Sequence, residues 1–234
     1  MLTQDLVGLA MVYSIIAGSL CISIHLHKKG SKIDSRKITH IGVGNFIFVW
    51  WMFSHGWIML TFFAIPFAIV LFIIMIGNNP ISKTELGVIS NDLGHRSGLF
   101  LYVISIIILI VFFFDHWLAA TLGVVAMTYG DGSGSVFGRR FGKHKTVNGK
   151  SLEGSVGVFL VTSLVSGIII LFYTFLSNDV SWAHTDAVTA AIPMWCVCLL
   201  SGILTSVVEM VCPGNSDNLV IPISVALLCV ILGL

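Results

Sequence analysis

The chain has 234 residues, of which 56% are hydrophobic and only 10% are charged, and its mean hydropathy is +1.00. A soluble domain carries about 25% charged residues, so this composition excludes a soluble globular protein, and the same apolar excess excludes a disordered chain. The 12 Lys and Arg residues balance 11 Asp and Glu residues, so we expect no nucleic-acid partner. We predict an all-α integral membrane protein, a polytopic bundle of seven to eight transmembrane helices that forms one transmembrane domain over residues 1–234.

Apolar runs follow one another along the whole chain, and a transmembrane helix needs about 20 apolar residues. The run from 41 to 77 is too long for one helix, and His55-Gly56 predicts a turn that divides it, as Asp115-His116 divides the run from 98 to 129. The first run lacks the basic start of a secretory signal peptide, so we interpret it as the first transmembrane helix. The runs lie at roughly 7–26, 41–55, 57–77, 98–114, 116–129, 155–176, 187–207 and 218–234.

Every Lys and Arg residue falls in one of three stretches between these runs. They are Lys28, Lys29, Lys32, Arg36 and Lys37; then Lys83 and Arg96; then Arg139, Arg140, Lys143, Lys145 and Lys150. With eight helices, the loops at about 27–40, 78–97, 130–154 and 208–217 share one side of the membrane. Because cytosolic loops carry the excess of Lys and Arg, we predict that these loops are cytosolic and that both termini lie outside.

The loop from 130 to 154 combines the residue types that a nucleotide triphosphate site needs. Its seven glycines let backbone N–H groups approach phosphate closely, and its cations neutralise a polyphosphate. Asp131 and Glu153 are hard oxygen ligands suited to Mg²⁺. Ser151 is the expected N-cap of a helix that begins near Leu152, which would turn a positive helix end toward the anion.

Two other interpretations of this loop are a lipid-binding anchor and a P-loop. An anchor loop that binds lipid headgroups would explain its cations, but such a loop needs only charge, and the two carboxylates and the glycines favour the nucleotide site. Gly149-Lys150-Ser151 resembles the end of a P-loop. That motif requires a second glycine five residues before Gly149, where this chain has His144, so we exclude a P-loop fold.

Two further segments are candidates for chemistry. Glu209 ends an apolar run, and a carboxylate near membrane depth is costly and usually functional; Asp217 and Asn218 follow shortly after, although either can serve simply as a helix N-cap. Both flank helices that end on the face of the 130–154 loop, so we expect Asp217 to lie beside that loop. His40 follows Arg36-Lys37 at the entrance of the second helix and could contact phosphate or assist proton transfer, whereas membrane anchoring alone would explain Arg36 and Lys37.

These segments together resemble the CTP-dependent polyprenol kinase family, which includes dolichol, phytol and farnesol kinases. The similarity lies in Gly130-Asp131, in Gly138-Arg139 through Lys145, in Lys150-Ser151-x-Glu153-Gly154, and in Glu209 with Asp217-Asn218-Leu219 and Pro222. Arg36-Lys37-x-x-His40 is similar to the family's N-terminal signature. Gly132 and Gly134 depart from the family pattern, in which alanines are common at these places.

The resemblance implies a kinase that transfers the γ-phosphoryl group of CTP to an isoprenoid alcohol, a lipid held in the membrane. It also implies Mg²⁺ as cofactor and an active site that faces the cytosol. Asp131 and Glu153 are the expected metal ligands, and Asp217 is the expected catalytic residue, with Glu209 and His40 as further candidates. The residues expected to bind the nucleotide are Ser133, Arg139, Lys143, Lys145, Lys150, Ser151, Gly154 and Asn218.

Other functions remain alternatives at this stage. The central loop also looks like that of CTP:phosphatidate cytidylyltransferases, which make CDP-lipids, but their C-terminal lysine and Pro-Gly-His-Gly-Gly run are missing from this sequence. A CTP-dependent diacylglycerol kinase is a close variant of the same chemistry. A membrane transporter without catalysis would use the intramembrane acids to line a path, and it would not bind nucleotide.

Overall fold

The computed structural model describes residues 2–30, 35–90, 97–181, 183–185 and 187–234. These residues form helices joined by turns and loops, and they contain no β-strand. Lys32, Arg96 and the side chain of Arg36, which contribute to the predicted charge pattern, lie outside the described residues. The described residues group into two compact units, residues 1–110 and 111–234. The prediction of a single transmembrane domain stays a prediction.

Among the residues that the structure describes, five helical stretches are long and apolar enough to cross a membrane, so the chain is an all-α polytopic membrane protein. They are Thr3–Lys28, Gly56–Ile76, Gly98–Phe141, Leu152–Asp179 and Met194–Val211, and the shorter apolar helix Asp217–Ile231 follows them. The predicted count of seven to eight is not reached by this criterion. The run at 41–55 forms short helices, the two runs between 98 and 129 belong to one nearly continuous helical stretch, and the last helix has only 15 residues.

The first unit contains the N-terminal helices. They are α1 (Thr3–Lys28), α2 (Ser35–Gly44), 3₁₀ turns at Asn45–Phe48 and Trp50–Met52, α3 (Gly56–Met59), a π-helical turn at Leu60–Ala64, α4 (Ile65–Ile76), a 3₁₀ turn at Ile81–Lys83, α5 (Glu85–Ser90) and most of α6 (Gly98–Phe113). A π-helical turn inside an α-helix is uncommon and often marks a functional site.

Residues 35–54 return along α1 as a broken helix. Ser23 Oγ donates to the Ser35 carbonyl (2.5 Å), and at the other end of α1 the Asp5 carboxylate accepts from the Ser54 amide (2.8 Å). The 18 residues from Asp5 to Ser23 span roughly 27 Å at 1.5 Å per residue, close to the hydrocarbon thickness of a bilayer. The second predicted run therefore does run the length of α1, although it is not one regular helix.

The second unit is built from four helical segments. A 3₁₀ turn at Phe114–His116 precedes α7 (Trp117–Val125), which continues through a π-helical segment, Ala126–Asp131, into α8 (Gly132–Phe141); a 3₁₀ turn at Val147–Gly149 leads to α9 (Leu152–Asp179), and α10 (Met194–Val211) and α11 (Asp217–Ile231) complete the unit. Asp115 and His116 interrupt the helix as predicted, because His116 leaves the helical region at φ −115° and ψ 49°.

The α7–α8 segment and α9 pack antiparallel. The ring of Trp117 lies 4.3 Å from that of Tyr173, whereas at the opposite end a Cβ on Gly157 would lie 2.5 Å from the Phe137 ring. The α10 helix reverses again, since Ser206 Oγ donates to the Ser155 carbonyl (2.8 Å). The α11 helix runs antiparallel to α7, with Gly123 against the Pro222 carbonyl and His116 near Leu234. The unit is thus an up-and-down bundle of the four segments.

The glycines between 130 and 142 have a different role from the one that the sequence predicts. Residues 132–141 are helical and are not part of an open loop, which shortens the predicted 130–154 loop to about residues 142–151. A Cβ at Gly130 would lie 2.4 Å from Thr162 Oγ1, and one at Gly142 would lie 2.8 Å from Ser151 Oγ. Small residues at helix interfaces let backbones approach closely in membrane bundles, so these glycines serve packing before they serve any ligand.

Candidate active site

Lys150 lies at one end of the bundle between two acidic side chains. Its Nζ is 2.9 Å from Glu209 Oε1 and 3.4 Å from Asp217 Oδ2, and it also donates to the Glu209 carbonyl. The side chains of Glu209 and Asp217 are 8% and 9% exposed, and that of Lys150 is 23% exposed. The predicted proximity of Asp217 to the 130–154 segment is therefore confirmed.

A short turn brings both acids to the same lysine. Glu209 lies in the last turn of α10, which ends at Val211, and Asp217 is the first residue of α11. Gly214, at φ +60°, occupies the left-handed region that glycine adopts without a steric penalty. Because five residues separate the two helices, the chain reverses direction at once and both carboxylates face Lys150.

The charges in this cluster are coupled. Burial alone lowers the pKa of Lys150, but the hydrogen bond and charge of Glu209, together with the charges of Asp217 and Asp131, raise its pKa above the usual value. Burial and the nearby charge of Asp131 raise the pKa of Asp217 to about 6, against the opposing effect of Lys150. Three carboxylates thus act on one ammonium group, and the cluster carries a negative charge when all four groups are ionised.

Asp131 closes the π-helical segment beside this cluster. It is half-buried, and its charge reaches both Lys150 and Asp217. Its helix approaches Glu209 through Gly134, where a Cβ would lie 3.5 Å from Glu209 Oε1 and 2.8 Å from Val158 Cγ2. A π-helical turn shifts the register of the side chains that follow, so this local irregularity helps to determine where the Asp131 carboxylate lies.

The Glu153 carboxylate is hydrogen-bonded to the loop that precedes α9. Its carboxylate accepts from the Lys143 amide (3.0 Å), the His144 amide (3.3 Å) and the His144 ring Nδ1 (2.7 Å). The Ser151 hydroxyl accepts from the Gly154 amide (3.2 Å), so the predicted N-cap of α9 is confirmed. Glu153 therefore holds the 142–151 loop closed, and it would have to release His144 to bind a metal.

The remaining cations are on the surface of α8 and its loop. Arg139 Nε donates to the Ser135 carbonyl (3.2 Å), Lys145 Nζ to the Gly149 carbonyl (3.5 Å), and Lys143 is exposed. None of these three side chains takes part in the recorded ion pairs of the Lys150 cluster. They are available at the rim of the site to meet an anionic ligand from the aqueous side.

A buried asparagine adjoins Asp217. The Asn218 side chain is buried, and its Oδ1 has no hydrogen-bond partner among the described residues. The backbone N–H of Asn218 donates to Asp217 Oδ1 (2.9 Å). A buried acceptor of this kind usually has a partner, and a donor on a bound ligand would supply one. Ser133 Oγ donates to the Gly130 carbonyl (2.7 Å). Gly154 packs where a Cβ would lie 3.0 Å from the Gly134 carbonyl oxygen.

His40 belongs to the first unit, whereas the Lys150 cluster belongs to the second. It is 7% exposed, and its ring centroid lies 4.0 Å from that of Tyr102. The described residues contain no preformed group of three His, Cys, Asp or Glu side chains that could hold a metal. The sequence pattern predicts Lys150 as a phosphate ligand but does not predict its ion pairs with Glu209 and Asp217. The feature of the sequence that pointed to them is Glu209, an acid at the end of an apolar run that needs a partner when buried.

Comparisons with known proteins agree on one kind of activity. The chain is 31% identical to phytol kinase from Synechocystis sp. in an alignment of 180 residues that covers 72% of this chain and 72% of that protein. It is 30% identical over 159 residues to a probable chloroplastic phytol kinase from Triticum aestivum, covering 63% of this chain and 52% of that protein. It is also 30% identical over 130 residues to CTP-dependent diacylglycerol kinase 1 from Schizosaccharomyces pombe, covering 54% of this chain and 56% of that protein.

No family model matches the chain. No solved structure matches it significantly. Ionisable residues at membrane depth, such as those of the Lys150 cluster, are costly and usually functional. The similarity to the Synechocystis protein extends over most of both chains and shows the family. The chain belongs to the family of CTP-dependent polyprenol and lipid kinases.

Proposed function

We propose that this chain is a CTP-dependent lipid kinase that transfers the γ-phosphoryl group of CTP to an isoprenoid alcohol at the cytosolic face of the membrane. Two of its relatives are named phytol kinases, and phytol is an isoprenoid alcohol; a third is named a CTP-dependent kinase. The observation that carries the proposal is the Lys150 cluster, in which Glu209 and Asp217 flank the ammonium group and Asp131 adds its charge.

Asp217 is the group that we assign as the base for the alcohol. In the reaction the alcohol oxygen forms a bond to the γ-phosphorus, the bond from that phosphorus to the β–γ bridging oxygen breaks, and CDP leaves. The proton of the hydroxyl passes to the Asp217 carboxylate. With a pKa raised to about 6, Asp217 is ionised at neutral pH and is a stronger base than an ordinary aspartate, as general-base catalysis requires. Glu209 is the alternative base, and His40 remains a candidate on sequence grounds alone.

Cations in and above the cluster are the proposed phosphate ligands. Lys150 lies beside the acids, and Arg139, Lys143 and Lys145 lie exposed on α8 and its loop. Phosphoryl transfer depends mainly on positioning and charge neutralisation, so a ring of cations around the γ-phosphate is the expected arrangement. We keep Ser133, Ser151, Gly154 and Asn218 as nucleotide contacts; for Asn218 the unpartnered buried Oδ1 supports a ligand donor.

Mg²⁺ fits the chemistry of the donors in this cluster. Asp131, Glu209 and Asp217 are hard oxygen ligands, and together they outweigh the charge of Lys150. Mg²⁺ in kinases is usually held by one or two carboxylates and by substrate phosphates, so a preformed cage of three protein ligands is not needed. When bound, Mg²⁺ would neutralise the phosphate oxygens. We propose Asp131 as its main protein ligand, and Glu153 as a ligand only if it leaves His144.

A second candidate function is phosphorylation of diacylglycerol, which the name of the Schizosaccharomyces pombe relative favours. The donor, the leaving group and the nucleotide site would be the same, and only the acceptor would differ. A CDP-lipid synthase would instead release pyrophosphate, and a transporter would not consume CTP.

An acceptor panel tests the proposed function. The purified protein in mixed micelles receives γ-labelled CTP and Mg²⁺ with phytol, farnesol, longer polyprenols or diacylglycerol, and lipid-soluble label is measured. We expect label in the isoprenoid alcohols, loss of label with Asp131→Asn, and no loss with Asp179→Asn, a matched change at an exposed carboxylate at the far end of α9. Label in diacylglycerol alone, or in no acceptor, would contradict the proposal.

A further inference from the structure

The N–H donors of the Lys150 ammonium group are all taken by the two acids beside it. A lysine ammonium has three donors, and here they point to Glu209 Oε1 (2.9 Å), to the Glu209 carbonyl oxygen and to Asp217 Oδ2 (3.4 Å). The three acceptors belong to the end of α10 and the start of α11. The phosphate role that we assign to Lys150 therefore requires it to leave at least one of the acids.

Asp217 is engaged in the same way. Its Oδ2 accepts from Lys150, and its Oδ1 accepts from the backbone N–H of Asn218 (2.9 Å). A general base must come within hydrogen-bond reach of the proton that it takes, so in this arrangement the alcohol has to compete with Lys150 for the carboxylate. A single movement, the departure of Lys150 from Asp217, would supply both a phosphate ligand and an accessible base.

The 142–151 loop holds Lys150 against the acids. The Thr146 amide donates to the Lys150 carbonyl (2.8 Å), which pairs the two arms of the loop. Asn148 and Gly149 form its tip with φ of +59° and +73°, and positive φ at both central residues is the signature of a tight two-residue turn. Lys150 directly follows this turn, so the position of the tip determines the position of the ammonium group.

The tip is attached to the same helix end as Lys150. The Asn148 side-chain amide donates to the carbonyl of Val211 (2.9 Å), the last residue of α10 and two residues beyond Glu209. The terminal carbonyls of a helix have no partner within that helix, so this one is free to accept from Asn148. The bond is exposed, and water can replace it at small cost. The tip can therefore separate from α10 once Lys150 is released.

A divalent cation can replace the charge that Lys150 supplies. Asp131, Glu209 and Asp217 carry three negative charges when ionised, against the single positive charge of Lys150. Withdrawal of Lys150 alone would leave buried acids without compensation, which is costly. Mg²⁺ prefers carboxylate oxygens and substrate phosphates, and a lysine ammonium is a common phosphate ligand. An exchange of partners between the two cations keeps the charge of the cluster compensated.

We propose that Lys150 holds the active site closed, and that it moves with the tip of the 142–151 loop to the phosphates of CTP when Mg²⁺ compensates Asp131 and Glu209. The proposal rests on the proposed function for the roles of Lys150 and Asp217. It adds Asn148 as a positioning residue, which stabilises the closed form through Val211. Asp217 then becomes accessible to the alcohol only when metal and nucleotide are both in the site.

Binding of the metal without nucleotide tests the exchange. Mn²⁺, which prefers the same oxygen ligands as Mg²⁺ and is detected by EPR, is titrated into the purified protein. We expect Lys150→Met to bind Mn²⁺ about tenfold more tightly than the wild type, because the acids have lost their cation. Lys145→Met, a matched change at an exposed lysine of the same loop, should bind Mn²⁺ as the wild type does. Equal affinity of all three proteins would overturn the proposal.

An uncharged change separates movement of the loop from simple charge repulsion. Asn148→Gly keeps the positive φ of the turn without strain and removes only the hydrogen bond to Val211. The closed form is then less stable, so we expect Mn²⁺ to bind several-fold more tightly than in the wild type. Unchanged or weaker Mn²⁺ binding by Asn148→Gly would show that the loop does not move with Lys150 and would overturn the proposal.

Amine labelling of the unmodified protein follows Lys150 directly. The protein is treated with an amine-reactive ester without metal, with Mg²⁺ alone, and with Mg²⁺ and CTP, and modification of each lysine is measured by mass spectrometry. We expect modification of Lys150 to rise several-fold with Mg²⁺ alone and to fall again when CTP is added. Lys28, an exposed lysine of the first unit, should not respond to Mg²⁺. Modification of Lys150 that is independent of Mg²⁺ would overturn the exchange.

The outcomes separate this inference from the proposed function. Transfer of label to an isoprenoid alcohol without any movement of Lys150 would overturn the exchange and leave the kinase activity intact. Movement of Lys150 without transfer of label to any isoprenoid alcohol would overturn the proposed function and leave the metal-dependent exchange. If Lys150→Met does not fold, Asn148→Gly and the labelling of the unmodified protein decide.

Discussion

Replacing Lys150 with methionine removes the only ammonium group that the structure places between Glu209 and Asp217. Removing one partner of a buried ion pair typically costs about 3–5 kcal/mol, because the remaining charge is buried without compensation. The Lys150 side chain is 23% exposed, so water reaches part of the cluster, and we expect a loss at the low end, about 3 kcal/mol. For a chain of this size that loss lowers the Tm by about 6–12 °C.

A double-mutant cycle separates the ion pair from other effects of the substitution. Thermal unfolding in a fixed detergent is measured for Lys150→Met, Glu209→Gln and the double variant. The double variant should regain part of the lost stability, because one of the carboxylates that Lys150 balanced is then gone, while Asp217 and Asp131 still lack their cation. Since Lys150 opposes the rise in the pKa of Asp217, its removal raises that pKa further, and the single variant should recover stability as the pH falls from 7 to 5.

Two results would refute this reasoning. One is a Lys150→Met protein as stable as the wild type at neutral pH, and the other is a double variant no more stable than the single one. In either case Lys150 would not be energetically coupled to the acids, and the four groups would not act as one charge network.

The remaining predictions concern individual site residues. Asp131→Asn should reduce turnover by orders of magnitude with the fold intact, and added Mg²⁺ should restore little of it; near-normal turnover would remove Asp131 from the metal site. Infrared titration in EDTA should find a carboxyl with a pKa of about 6 that Asp217→Asn eliminates. Because this pKa is raised, ionised Asp217 opposes folding above about pH 6, so Asp217→Asn should not lower the Tm while kcat falls 10²–10⁴-fold. Glu153→Gln should weaken the tie to His144 and raise the KM for CTP several-fold, whereas a shifted Mg²⁺ requirement would identify Glu153 as a ligand. Lys145→Cys should react with a membrane-impermeant maleimide only after cells are permeabilised; labelling of intact cells would reverse the predicted orientation.

Local chemistry with a clear physical signature was predictable from the sequence. Ser151 caps α9 as expected, because a serine before an apolar run satisfies the free amides of a helix start. Asp115-His116 interrupts the helix where two polar residues divide an apolar run. The convergence of Asp217 on the 130–154 segment followed from the number of crossings and their direction.

Other features depend on tertiary contacts and could not be predicted from the sequence. Glycines near residue 134 indicate a loop by composition, but they pack α8 against α9 and α10, and only the neighbouring helices reveal this. Glu153 has the chemistry of a metal ligand, yet its oxygens are taken by His144 and by backbone amides that the loop brings close.

The fate of the α- and γ-phosphates of CTP tests most directly whether the protein is a kinase. The purified protein is given an isoprenoid alcohol with CTP labelled either at the α- or at the γ-phosphate, and both the lipid and the aqueous products are separated. A CTP-dependent kinase transfers only the γ-label to the lipid and leaves the α-label in CDP. Transfer of the α-label to lipid together with release of pyrophosphate would contradict this account and identify the protein as a CDP-lipid synthase.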